Sequence, residues 1–330
     1  MASLRPFFEL IGGKLSSLFA AISPGGKMRI FLGILLFLGL GWGTAMFITS
    51  TIDDNPDFSG SGTLEPAVNQ GGSRTVAVAA ALIDREVNQH PWVANDPFFL
   101  PGYYLDNMPN YQQGIIYALG RFSVLMSDQV GRARGSSQVD PDLDAVAGLL
   151  KYAGDVWIFN PKTSLLPTAS SEAQYRDARK RLLSYNQRLR EGKAVFDPRS
   201  DNLTALLDSM AGDLGSQSAI IENYLREGKF WLTEGHADDI FYSTKGRAYA
   251  YYILLRELSQ DYAQVIKERD LTNVWDNMLR SFREVATLHP YVIVSAAPDS
   301  QILPSHLAAQ GFYLLRARTN LREITGILTR

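Results

Sequence analysis

The chain has 330 residues, 46% of them hydrophobic, a formal net charge of −2 and no cysteine. That length can bury the core of one large domain or two smaller ones. The missing cysteine excludes disulfide scaffolds, thiolate metal sites and cysteine nucleophiles, and suits an oxidising compartment. The balanced charge offers no basic field, so no nucleic-acid partner is expected.

Residues 1–27 come first. Leu4, Phe7, Phe8, Ile11, Leu15, Leu18, Phe19 and Ile22 recur at helical spacing opposite Glu9, Lys14 and Ser16. This predicts a cytoplasmic amphipathic helix lying in the membrane interface, ended by Ser23-Pro24-Gly25-Gly26. The alternative is a disordered leader.

Residues 28–50 follow. From Ile30 to Ile48 there is no charged residue, and roughly 20 such residues span a bilayer core. The run exceeds the h-region of a cleaved signal, and no A-x-A site follows it, so an uncleaved anchor is expected. Arg5, Lys14, Lys27 and Arg29 precede it, while Asp53, Asp54 and Asp57 follow. The positive-inside rule then places the N-terminus in the cytoplasm and the remainder outside it, which in a Gram-negative cell is the periplasm. Gly39 and Gly43 form a GxxxG within the span, a spacing that lets two anchors pack as a homodimer. Ordinary glycine usage in membrane helices is the competing explanation.

Residues 51–74 read as a flexible tether rich in Gly, Ser, Pro and Asp. Residues 75–330 carry helical periodicity nearly throughout, predicting an all-α bundle. Helices are expected at 75–89, 112–130, 142–157, 171–191, 201–227, 245–268, 271–287 and 305–328. The β-like YVIVSAAP, 291–298, stands alone, and one strand cannot satisfy its backbone. The helix at 171–191 opens on an expected capping box, Ser171 with Gln174, and stops at Gly192. Tyr175, Ala178, Leu182, Tyr185 and Leu189 form a seam on it. Its other faces carry Arg176, Arg179, Lys180, Arg181, Arg188 and Arg190. These could meet an acidic polymer, or be the solvated face of a packed helix.

An internal duplication is visible. Gly114, Tyr117, Ala118 and Ser127 match Gly246, Tyr249, Ala250 and Ser259 at a constant shift. Asn160-Pro161 matches His289-Pro290, and LLP at 165–167 matches ILP at 302–304. The period, about 130 residues, is too long for a solenoid. It predicts two related halves, about 75–195 and 200–330, packed face to face. Chance likeness between Ala- and Tyr-rich helices is the alternative.

Each half places a loop before its GxxYA helix. The first, 90–114, carries Trp92, Phe98, Phe99, Tyr103, Tyr104 and Tyr111. Such rings suit a protein groove or a glycan face, or they plug the space between the halves. The second, 230–246, gathers Glu234, His236, Asp238 and Asp239. Their spacing matches no metal motif, so no metal and no cofactor is assigned, and Asp238 or Asp239 is available to cap the next helix. There is no nucleophile elbow, Walker A or dinucleotide fingerprint. Convergence of Glu86, Glu222 or Glu234 would allow glycan hydrolysis.

At NDPFFLPGYYLDNMPNYQQG, 95–114, and DDIFYSTKGRAYAYYILL, 238–255, the chain resembles a proteobacterial family of envelope proteins, domain of unknown function 2333. The resemblance covers most of the chain, anchor included. It implies a Gram-negative inner-membrane protein with a helical periplasmic body, and it transfers no functional residue. The expectation is a membrane-anchored, non-enzymatic envelope scaffold that binds a protein partner. The alternative is a helical enzyme or binding protein acting on wall glycan or lipid through clustered carboxylates.

Overall fold

A computed structural model describes residues 23–60, 71–133, 139–159, 166–227, 236–297 and 300–330. The expected amphipathic helix before residue 23, and Glu234, lie outside the described residues. The chain divides into two compact units, Met1–Ile48 and Thr49–Arg330. In the first, helix α1 spans Pro24–Ser50. Its Met28–Ser50 stretch is long and apolar enough to cross a membrane. It has apolar side chains all round, which for an unburied helix fits lipid rather than water. An added Cβ at Gly39 or Gly43 would meet no neighbouring atom.

The second unit is all-α among the described residues. Its helices are α2 (Arg74–Asp84), α3 (Asn107–Ala133), α4 (Pro141–Leu149), α5 (Ser171–Arg190), α6 (Ser200–Arg226), α7 (His236–Asp261), α8 (Ala263–Glu268), α9 (Thr272–Ala286) and α10 (His306–Leu328). Helix α2 is buried all round from Thr75 to Ile83. That is why its sequence, RTVAVAAALID, shows no polar stripe. Ser73 caps it, its hydroxyl accepting from the Val76 amide at 3.2 Å. A π-helical turn, Arg85–Gln89, extends it. The β-like YVIVSAAP forms no strand: what remains is an isolated bridge between Ser295 and Ser305.

The expected stop at Gly192 holds, while other local expectations change; the helix expected at 142–157 ends at Leu149. Ser171 does not cap α5: its hydroxyl accepts from the Val156 amide and donates to the Ala153 carbonyl, tying down the preceding loop. The stop at Gly192 is a Schellman closure. Gly192 has φ +68°, its amide donates to Leu189, and the Lys193 amide donates to Arg188. The expected helix 245–268 starts earlier, at His236, and breaks at Tyr262. The basic face of α5 is largely engaged: Arg179 pairs with Asp84, Arg181 with Asp142, and Arg188 with Asp140 and Asp142.

The duplication has a structural counterpart. Helix α2 packs on α5, and α4 on both α5 and α3; likewise α6 packs on α10, and α9 on both α10 and α7. Helices α3 and α7 join the halves. They run parallel, since Asn110 before Gly114 bonds Asp239 before Gly246. At their crossing the matched glycines meet. A Cβ on Gly114 would lie 2.4 Å from the Ser243 carbonyl oxygen, and one on Gly246 would lie 2.1 Å from that of Tyr111. Each glycine thus faces the carbonyl three residues before the other. Such reciprocity is what a two-fold relation between the halves requires.

Candidate functional site

Because α3 and α7 run parallel, their N-termini share one end of the body. The aromatic loop is shorter than expected, since α3 begins at Asn107, and a short 3-10 turn, Pro101–Tyr104, lies within it. Its rings divide into two sets. Trp92 and Tyr111 are buried. Trp92 donates to the Gly154 carbonyl at 2.8 Å and meets Tyr175 edge-on. Phe98, Phe99, Tyr103 and Tyr104 are exposed, at 68, 54, 58 and 56%. Phe98 contacts Phe99, Phe99 contacts Trp157, and Trp157 contacts Phe159, all edge-on. The plug expected between the halves therefore fits Tyr111, which meets Tyr249 of the second half, while Trp92 is buried within the first half.

The polar cluster sits on the first turn of α7 rather than in a loop. His236 Nδ1 lies 3.4 Å from Asp239, and Asn110 donates to Asp239 at 2.6 Å. Carboxylates there favour the helix dipole. Burial raises the Asp238 carboxyl above its ordinary range, and the Asp106 charge raises it further. The described residues contain no group of three or more acids and histidines able to hold a metal ion. Glu86 is buried against Arg85 at 2.6 Å, while Glu222 is exposed beside Arg226. These two share no partner.

A second cluster was not anticipated. Residues 53–58, expected to be the start of a tether, lie against the body as a strap. Tyr111 donates its hydroxyl to the Asp53 carbonyl, and Tyr249 donates to the Asn55 carbonyl, each at 2.8 Å. Arg256 donates to the Pro56 and Phe58 carbonyls. Lys245, 1% exposed, donates to the Asp54 carboxylate and to the Leu288 carbonyl, both at 2.7 Å. Arg85, on the π turn, is buried under the same strap. It bonds Tyr249, pairs with Glu86, and lies between the rings of Phe58 and Tyr249. Burial lowers Lys245 below the usual lysine range. Burial also raises Asp54, but its bonds to Lys245 and His289 outweigh this and hold it below the usual carboxylate range. The signals were a lone Lys inside YSTKGRAYAYY and an Arg-Glu pair ending an Ala-rich run. Both are charged residues on otherwise apolar faces, where burial demands a partner.

A family model described as an uncharacterized protein conserved in bacteria, domain of unknown function 2333, matches residues 20–230. The chain belongs to this family. The segment shared with the domain of unknown function 2333 family runs from before α1 through the strap and the first half to the end of α6. It contains the aromatic loop, Arg85 and Glu86. It stops short of α7, which supplies Lys245, Tyr249 and Arg256. Among curated proteins none matches the chain, and none does among solved structures.

Proposed function

We propose that this protein is a membrane-anchored, non-enzymatic scaffold of the Gram-negative envelope. Its N-terminus lies in the cytoplasm, α1 crosses the inner membrane, and the body from Thr49 onward works in the periplasm. Four cationic residues before the span and three aspartates after it support this orientation. A C-terminal alkaline phosphatase fusion is expected to be active; activity only of a cytoplasmic reporter would reverse the orientation.

The observation that carries the scaffold reading is the run of rings Phe98, Phe99, Trp157 and Phe159, in which a half-buried Trp157 links exposed phenylalanines, beside exposed Tyr103 and Tyr104. Contiguous exposed aromatic surface is costly in water and marks interaction faces. The partner is an envelope protein. The test is photocrosslinking in living cells from Tyr103 or Tyr104, each replaced by a photoreactive residue. A specific protein adduct is expected. Adducts to glycan or lipid would instead favour a glycan- or lipid-binding protein.

A further inference from the structure

The strap occupies one side of the α3–α7 pair. The other side holds an open groove of about 460 Å³. The duplication relates α3 to α7 by a shift of 132 (Gly246 against Gly114), and that shift can be applied to every strap-holding residue on the pair. Lys245 maps to Gln113, Tyr249 to Tyr117, Arg256 to Val124 and, in the opposite direction, Tyr111 to Ser243. All four counterparts line the open groove. The two grooves are therefore one structural feature made twice, and one copy is seen binding a turned peptide segment through its backbone carbonyls.

We propose that the open groove receives a short peptide segment of a partner protein carrying at least one acidic side chain. The site goes beyond the aromatic face and is separate from it. The Tyr117 hydroxyl stands where Tyr249 grips the Asn55 carbonyl. It has no hydrogen-bond partner among the described residues, and its residue is 41% exposed. Gln113 replaces the Lys245 ammonium with an amide, and the positive charge is supplied elsewhere. Arg247 lies 3.6 Å over the Tyr117 ring, already paired with Asp213 at 3.1 Å. Arg121 bonds only Ser209, at 3.2 Å, and Lys151 is exposed; neither makes an ion pair among the described residues. Among the described residues, Arg121, Lys151 and Arg247 line the groove and no acid does; Asp239 stands beside Asn110, and Asp155 follows the lining Gly154. The lining is cationic, so the groove complements an acidic peptide, as the acidic strap complements Lys245 and Arg256. Recognition through carbonyls positions the bound backbone, and the cations select the side chain. The strap of a second copy is the weaker occupant, because its carbonyls are already engaged in its own groove.

The test uses the full chain in living cells, with a photoreactive benzophenone residue in place of Val124 on the groove wall. The expected adduct is to a different protein, at a residue within a segment containing Asp or Glu. In a chain also carrying Arg121→Glu and Lys151→Glu, both exposed and free of structural pairing, the adduct should fall at least tenfold at unchanged protein level and helicity. An adduct that survives the charge reversal overturns the proposal. So do adducts to lipid or glycan, to residues 53–58 of a second copy, or within the same chain only. Crosslinking from Tyr103 reports on the aromatic face independently, so either idea can fail without the other.

Discussion

On one side of the α3–α7 pair, Lys245, Tyr249 and Arg256 close over six residues of the chain's own strap. On the other, Gln113, Tyr117 and Val124 hold the matching positions and face solvent. The backbone frame is common to both sides, and the side chains differ. The filled side has a buried ammonium and an arginine aimed at carbonyls; the open side has an amide, a valine and cations at its rim. The duplication thus separates what the frame supplies, a channel for a peptide segment, from what the side chains supply, its choice of occupant.

The frame is broken most severely at the crossing. Gly246→Ala would push a methyl to 2.1 Å from the Tyr111 carbonyl oxygen, and the obstacle is backbone. The helices must part, at about 3 kcal/mol, read as a lowered denaturation midpoint of the full chain in detergent. Gly114→Ala, 2.4 Å from the Ser243 oxygen, should behave alike. Tolerance of either would show that the glycines do not set the crossing.

The filled groove comes next. Lys245→Met keeps the volume but removes bonds to Asp54 and Leu288. A cost of about 2 kcal/mol is expected, together with faster amide exchange at residues 52–58. The Asp54 carboxyl is held low, so its contribution is fully present above the unfolded value near 3.9. It is lost as pH falls through the lower folded value, and the strap should loosen in that acid range.

The two tyrosines give the sharpest comparison. Tyr249→Phe removes a donor to the Asn55 carbonyl and an acceptor for Arg85, leaving a buried guanidinium short of a partner. About 1–2 kcal/mol should be lost. Tyr117→Phe, at the equivalent position, removes a solvent-facing hydroxyl and should change stability by under about 0.5 kcal/mol. Equal losses would mean that the two grooves are not functionally distinct.

Much of this frame could be read from the sequence. Helical periodicity placed most helix ends within a few residues, though it carried α4 on to 157 where it ends at Leu149, and began α7 at 245 where it starts at His236; GxxYA repeated at a fixed shift pointed to two halves. The strap could not be read, for a physical reason. It is held chiefly by the carbonyls of Asp53, Asn55, Pro56 and Phe58, which every sequence possesses, while its side chains, DDNPDF, carry the composition of a free linker. The aromatic loop was legible as unusual but not in its division. Trp92 and Tyr111 are buried and Phe98 and Tyr103 exposed because of what α3 and the 154–157 loop present to them, not because of ring type. Ser171 shows the same limit: its hydroxyl fits a capping box and is spent on the neighbouring loop.

The smallest expected effect concerns the exposed rings. Asp96 lies at the base of their loop, and Gly102 approaches it so closely that a Cβ would fall 2.2 Å from its carboxylate oxygen. Burial pushes the Asp96 carboxyl up to about 6; the Gly102 amide pulls it down and the Glu172 charge pushes it up. The folded loop therefore binds a proton that the open loop, titrating near 3.9, does not. Between those values the closed loop loses stability as pH rises. Amide exchange at residues 98–104, corrected for intrinsic rates, should be slower at pH 5 than at pH 7.5. Asp96→Asn, uncharged throughout, should abolish the difference and leave exchange slow at both pH values. If the pH dependence survives in that variant, another group controls the loop, and the rings of the aromatic face are ordered independently of Asp96.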